Sequence, residues 1–252
     1  MTTARTGLML YSVRRACAED FEGTLRAVAA MGYTGVELFD LHGHDVAEVR
    51  GWLDELGLVV CGLHAPLTAV EDDLPGHAAT ARALGTDRLV ISWVDEPTTA
   101  AEAADIERRL GLVAAVAGAQ GVRLGFHNHW GELRSFDGEP ALLERLLVEM
   151  PELFLELDLG WAWYAGADPA DLVSRAAGRA PLVHVKDFRR NGSEPSFCPV
   201  GDGDVGYETV VPAALAAGVE WLLVEQDQVD GPELDAAERS FAAVGRFAGA
   251  AR

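Results

Sequence analysis

Four of the seven histidines in this 252-residue sequence, His64, His127, His129 and His184, fall at or just past the ends of short β-type runs. The acids Glu37, Glu156, Asp158 and Glu225 end the same kind of run, in GVEL, LFLELD and LLVE. One strand-end histidine is ordinarily a hydrogen-bonded structural residue. Several converging with carboxylates are a different matter, because an unpaired buried carboxylate costs several kcal/mol. Lys186 and Arg123 offer part of the compensation. A divalent cation offers more, and imidazoles beside carboxylates are the donor set it takes. The chemistry these residue types suggest is metal binding coupled to proton transfer.

The elements that must position them recur at a nearly steady interval. β-type runs are read at 7–12, 33–38, 58–64, 88–93, 122–128, 153–158, 182–186 and 221–225, with ends 26 to 41 residues apart. Helical periods lie between them, many closed by Gly and several opened by Asp, Glu or Pro. Eight β-then-α units in this length predict one (β/α)8 barrel, of class α/β, spanning 1–252 as a single domain with its active site at the C-terminal ends of the strands. GxGxxG and P-loop signatures are absent. Alternation along a strand sorts the faces. Leu153, Leu155 and Leu157 point outward, as do Val183, Val185, Leu222 and Val224. Phe154, Glu156, Asp158, His184, Lys186, Leu223, Glu225 and Asp227 then point inward, joined by Glu37, His64, Arg123, His127 and His129. The Gly- and Pro-rich stretch 189–206 reads as a loop covering the active site.

Charge narrows the partners. Twenty Lys and Arg against 40 Asp and Glu leave a net charge of −20. Such a surface repels phosphate backbones and anionic lipid, so nucleic acid and membrane are not expected partners. No run approaches the roughly 18 to 20 apolar residues of a membrane span, and the N-terminus lacks a signal-peptide core. Cys17, Cys61 and Cys198 are far apart and form no CxxC pair. Free thiols and a cytoplasmic location are therefore expected. Homo-oligomerisation is left open.

The stretches GLMLYSVR, YTGVELF, GLHAP, FHNHWGEL, LELDLGWAWYAGADP, HVKDF, VGDGDVGY and VEWLLVEQD, in this order, resemble the xylose isomerase-like TIM barrels. That group includes sugar epimerases, hydroxypyruvate isomerase, inosose dehydratase and an apurinic-site endonuclease. The resemblance implies one divalent metal ion (Mn, Co, Fe, Mg or Zn) and a carbohydrate substrate. It places metal ligands at Asp158, His184 and Glu225. The strand-five ligand is usually the Glu of a Glu-Asn-His stretch, and here that stretch reads His127-Asn128-His129, so His127 takes the ligand position. Glu132 then supplies either the missing carboxylate or a hydrogen bond to an imidazole. Ser92 and Trp161 stand where two endonuclease histidines would be, which together with the charge sets DNA repair aside.

The leading expectation is a metal-dependent isomerase or epimerase acting on a sugar, keto-sugar or cyclitol through an enediolate. The alternative is a lyase or dehydratase that eliminates a β-hydroxyl or β-glycosyl group, which the loss of the strand-five carboxylate favours. A catalytically silent sugar-binding barrel stands third. Glu225 is the expected general base, His64, His129 and Glu132 the candidates for proton delivery, and Lys186 the cation for the enediolate oxygen. Glu37, His129, Trp161 and Asp187 are expected to contact substrate. Trp93, Trp130, Trp161 and Trp163 either wall the sugar or pack helices.

Overall fold

A computed structural model describes residues 4–191 and 194–250. Its centre is a closed barrel of eight parallel strands: β1 (Arg5–Met9), β2 (Gly35–Leu38), β3 (Val59–Pro66), β4 (Arg88–Trp93), β5 (Arg123–His127), β6 (Phe154–Asp158), β7 (Leu182–Val185) and β10 (Trp221–Val224). Around the barrel each strand neighbours the next, and β10 closes it between β7 and β1. The helices are α1 (Arg14–Glu19), α2 (Phe21–Met31), α3 (Val46–Leu56), α4 (Leu67–Ala83), α5 (Ala100–Ala117), α6 (Leu142–Glu149), α7 (Leu159–Tyr164), α8 (Pro169–Arg175), α9 (Tyr207–Ala216) and α10 (Glu233–Ala250). This is the (β/α)8 architecture that the spacing predicts. Among the described residues no helix is long and apolar enough to cross a membrane, and all three cysteines are free.

Alternation builds two cores. Leu155, Leu157, Val183, Val185, Leu222 and Val224 pack outward into the layer beneath the helices. Each such buried side chain contributes about 1.5–3 kcal/mol. Inside the barrel, Cys61, Val90, Phe154, Leu182, Trp221 and Leu223 form a separate apolar plug. Phe154 fits because β5 carries Gly125 opposite it; a Cβ there would lie 2.3 Å from the ring. The plug fills the N-terminal half of the barrel, so inward side chains further along each strand enter a space closed from below. On β6 the order is Phe154, Glu156, Asp158; after Leu182 come His184 and Lys186; after Leu223 comes Glu225.

Four departures from the sequence expectation have local causes. Arg123 points to the N-terminal mouth, where it pairs with Asp87 at 2.8 and 2.9 Å, far from the inward acids it was expected to neutralise. Being first on β5, it lies beyond the apolar plug. Helices α1 and α7 have six residues each, RRACAE and LGWAWY, too few for a helical period to show in the sequence. Helix α4 begins nine residues before the GHAATARALG segment and kinks at Asp73 (φ −145°, ψ 61°), two residues before Pro75. The proline cannot donate to the preceding turn, and the Asp73 carboxylate starts the second half by accepting from Gly76 N at 2.9 Å.

The fourth departure is the 189–206 stretch. Instead of an irregular cover, its first part is an antiparallel ribbon of β8 (Asp187–Asn191) and β9 (Glu194–Cys198), with residues 192–193 outside the described set. The ribbon packs Phe188 and Phe197 against Trp161, ring centroids 5.7 and 5.9 Å apart, and so backs a wall of the site. Asp187 anchors the segment. Its carboxylate accepts from the backbone amides of Phe188, Gly201, Gly203 and Val205 at 2.9–3.3 Å. A Cβ at Gly203 would stand 2.1 Å from Asp187 Oδ1, so only glycine admits that approach. Expected as a substrate contact, Asp187 instead spends its acceptors on its own loop. Replacing it with Ala strands several amides, so Asp187→Ala should speed hydrogen exchange across 187–206 while leaving exchange in β1–β4 unchanged; mass spectrometry of the exchanged peptides checks this.

Candidate active site

The C-terminal end of the barrel holds a buried ionic cluster. His184 is its centre. Nδ1 lies 2.8 Å from Glu225 Oε2, and Nε2 lies 2.7 Å from Glu37 Oε2 and 3.2 Å from Glu156 Oε2. His64 Nε2 reaches Glu156 Oε2 at 2.6 Å and Glu37 Oε2 at 3.1 Å, and His127 Nδ1 reaches Glu156 Oε2 at 3.2 Å. Burial pulls the His64 imidazole down, but Glu37 and Glu156 outweigh it and push it up to about 10. The same contest, with Glu156 and Glu225 as the acids, carries His184 well above the usual imidazole range. His127 moves the other way, lowered by burial and by the neighbouring His184.

Lys186 is the second hub. Its Nζ stands 2.9 Å from Asp158 Oδ2, Glu225 Oε2 and Asp227 Oδ1, and 4.9 Å over the Trp161 ring. Burial disfavours the ammonium, yet Asp158, Asp227 and Glu225 hold its pKa well above the usual lysine value. Burial raises the Asp227 carboxyl to about 6 against the pull of Lys186. Tyr207 fixes the strand exit, its hydroxyl accepting from Lys186 N at 2.9 Å and donating to Lys186 O at 2.7 Å.

The local backbone aims Asp158. Its Oδ1 caps α7 by accepting from Trp161 N at 2.7 Å, which leaves Oδ2 for the cluster. Asn128 Oδ1 accepts from Asp158 N at 3.1 Å and Asn128 Nδ2 donates to Asp158 O at 3.4 Å, tying β5 to β6 just where both deliver a side chain.

His127, Asp158, His184 and Glu225 bring one donor atom each within 4.8 Å of one another, all buried. Asp158 Oδ2 and His127 Nδ1 are buried, the one facing Lys186 Nζ at 2.9 Å and the other Glu156 at 3.2 Å, while Glu37 Oε1 and Glu156 Oε1 are buried without a hydrogen-bond partner. Two imidazole nitrogens and two carboxylates form a mixed set that suits Mn, Fe, Co or Zn. The residues present fit a divalent ion.

Above the cluster opens a cavity of about 490 Å³. His64, His127, His129, Glu225 and Asp227 supply its ionisable wall. Met9, Tyr11, Phe39, Pro66, Trp93 and Trp161 supply the apolar one, with Ser92 among them. Glu37, Asp158, His184 and Lys186 lie fully buried behind the ionisable wall, outside the cavity lining. Glu37 was expected at the substrate; it holds His184 and His64 from below instead. Lys186 likewise faces three carboxylates. Glu132 lines a separate adjoining space of about 190 Å³ and accepts from His129 N at 2.9 Å; burial raises its carboxyl to about 7. It therefore acts on the backbone of His129, not on an imidazole. Trp93 and Trp161 wall the cavity, Trp130 lines the adjoining space, and Trp163 packs on Phe188 at 5.6 Å. The sequence reading missed Tyr11 and Phe39, although both stand within two residues of the C-terminal ends of strands.

The profile of the xylose isomerase-like TIM barrel matches residues 25–244. The chain belongs to that family. An inosose dehydratase of Geobacillus kaustophilus is 24% identical over 246 residues, covering 81% of this chain and 79% of that protein. The rhizopine catabolism protein MocC of Rhizobium meliloti is 33% identical over 125 residues, covering 43% and 38%. Among solved structures, a sugar phosphate isomerase/epimerase from Parabacteroides distasonis superposes with a TM-score of 0.82 at 18% identity, covering 98% and 96%, which is a likeness of fold. The curated relatives of this xylose isomerase-like chain thus include inosose dehydratases, and its neighbours in fold include an isomerase/epimerase.

The Lys186 hub gives a stability expectation. Lys186→Met leaves Asp158, Glu225 and Asp227 without their cation, so unfolding in urea with EDTA should show a loss of about 3–5 kcal/mol. Adding Asp227→Asn should recover part of it, since fewer buried charges then go unpaired.

Proposed function

We propose that this protein is a divalent-metal-dependent lyase that eliminates a β-oxygen substituent, a hydroxyl or a glycosidic oxygen, from a keto-sugar or keto-cyclitol. One observation carries the reading: both carboxylates that face the cavity, Glu225 and Asp227, come from the end of β10. The position on β5 where the resemblance leads one to expect an opposing glutamate holds His127. Exchange of a proton between carboxylates on opposite faces of a sugar has no second carboxylate to use. Elimination needs a base and a proton donor, and both can stand on one side.

His127, Asp158, His184 and Glu225 are the residues that would hold the ion, which would supply Lewis-acid polarisation of the substrate ketone. Glu225 has Oε2 engaged by His184 and Lys186, leaving its other oxygen to take the proton from the carbon next to the ketone. That electron pair becomes a C=C bond to the β-carbon, whose C–O bond breaks. Asp227, beside Glu225, returns a proton to the departing oxygen, so the products are an enone and water or an alcohol, with no net redox change. Trp161 offers a buried Nε1–H without a hydrogen-bond partner, a donor available to a substrate hydroxyl. The apolar wall excludes water from the reacting carbons. The inosose dehydratase relatives support this reading.

An isomerase or epimerase is the second reading, favoured by the imidazoles of His127 and His129, which could return a proton from the side away from β10. Incubation with keto-inositol and 3-keto-glycosides in D₂O, followed by NMR, separates the two. The lyase reading expects new alkene signals and a released alcohol or water. Deuterium in recovered or isomeric sugar without alkene would overturn it. Glu225→Gln should abolish both exchange and product, and Asp227→Asn should keep exchange while slowing product formation. The purified chain should carry close to one divalent ion, lost in Asp158→Ala, by elemental analysis.

A further inference from the structure

The rim of the barrel is divided. The candidate ion ligands come from β5, β6, β7 and β10, one contiguous half of the barrel. The other half, β1 to β4, sends Met9, Tyr11, Phe39, Pro66 and Trp93 to the same cavity, with His64 and Ser92 among them. Trp93 is 57% exposed and Tyr11 37%. The other large apolar side chains left exposed among the described residues, Val59, Leu112, Val116 and Val148, are aliphatic, and none lines this cavity. The exposed aromatic surface is thus gathered at one mouth, where Tyr11 meets Phe39 edge-on at 5.3 Å and Trp93 meets His129 edge-on at 5.3 Å. Apolar surface held open beside a polar cluster marks a ligand surface.

We propose that the β1–β4 half of the rim is the subsite for a planar, apolar leaving group, so that the substrate is an aryl glycoside of the keto-sugar. This rests on the lyase reading, which sets the reacting carbons over the β5–β10 half. The β-carbon is the reacting atom furthest from the ketone, so its substituent projects across the cavity toward Tyr11, Phe39 and Trp93. A cavity of about 490 Å³ exceeds what one six-membered ring needs. A second sugar in that half would bring hydroxyls and a ring oxygen to a lining whose hydrogen-bonding side chains are Tyr11, Ser92, Trp93 and His64, set among Met9, Phe39 and Pro66, and any hydroxyl turned to the apolar members is left unpaired at a cost. An aromatic ring asks for no such partners and packs edge-to-face against Trp and Tyr.

The test is calorimetric binding of phenyl β-D-glucopyranoside, methyl β-D-glucopyranoside and cellobiose to the full chain. These compounds carry no ketone and do not react, so the result is independent of whether the lyase reaction occurs. The phenyl glycoside should bind about tenfold tighter than the methyl glycoside and tighter than cellobiose. That preference should vanish in Trp93→Ala and persist in Trp93→Phe, with the melting temperature unchanged because Trp93 is exposed. Equal affinities, a preference for cellobiose, no binding of the phenyl glycoside, or a preference that survives both Trp93→Ala and Tyr11→Ala would overturn the subsite. Failure of the keto-sugar reaction in D₂O, with the phenyl preference intact, would instead overturn the lyase reading.

Discussion

Everything at the top of this barrel depends on how five carboxylates are kept next to one another. Glu37, Glu156, Asp158 and Glu225 are buried, and Asp227 adjoins them. The chain answers with three shared cations, of which His64 takes Glu156 at 2.6 Å and Glu37 at 3.1 Å. Lys186 takes the upper three acids at 2.9 Å each, and His184 bridges Glu225 to Glu37 through its two ring nitrogens. Neither hub alone suffices, because Glu225 Oε2 belongs to both. The cluster is a network in which removing one member leaves several others uncompensated.

The apolar plug makes that network possible. Trp221, Phe154 and Leu223 close the barrel from below, so water cannot screen the acids from that side. Isolation strengthens the pairing and also raises the cost of any unpaired atom. Glu37 Oε1 and Glu156 Oε1 remain without hydrogen bonds in the middle of the barrel. A site closed from below and lined by five acids favours a bound cation and holds a base in a fixed position.

Much of this was legible in the residues. The strand interval specifies the barrel, and alternation separates Leu155 and Leu157 from Glu156 and Asp158, because sheet geometry is a local rule that every strand obeys. Alternation says which way a side chain points, not how far along the barrel axis it sits. Arg123 therefore went to the wrong end, and Glu37 was placed at the substrate when it lies a layer below. Asp187 was misplaced for another reason: its partners are amides 14 to 18 residues ahead in a loop without periodicity. Tyr11 and Phe39 escaped notice because an aromatic residue after a strand resembles ordinary core, and only the closed barrel shows the two of them on one rim with Trp93.

The departure at His127 is where fold and chemistry part company. A carboxylate there would face the cavity from β5, opposite Glu225, and two opposed bases suit moving a proton from one face of a carbon to the other. An imidazole preserves a ligand atom and the link to Glu156, but its pKa falls through burial and the nearby His184. A neutral ring in that place is an acceptor or a ligand and no longer an anionic base. The negative charge facing the cavity is thereby concentrated at the end of β10, beneath one side of the substrate. A base and an acid on one side serve a reaction in which proton and leaving group depart together. The same asymmetry leaves the β1–β4 rim without a carboxylate at the cavity, and that is the rim which carries the exposed aromatic rings.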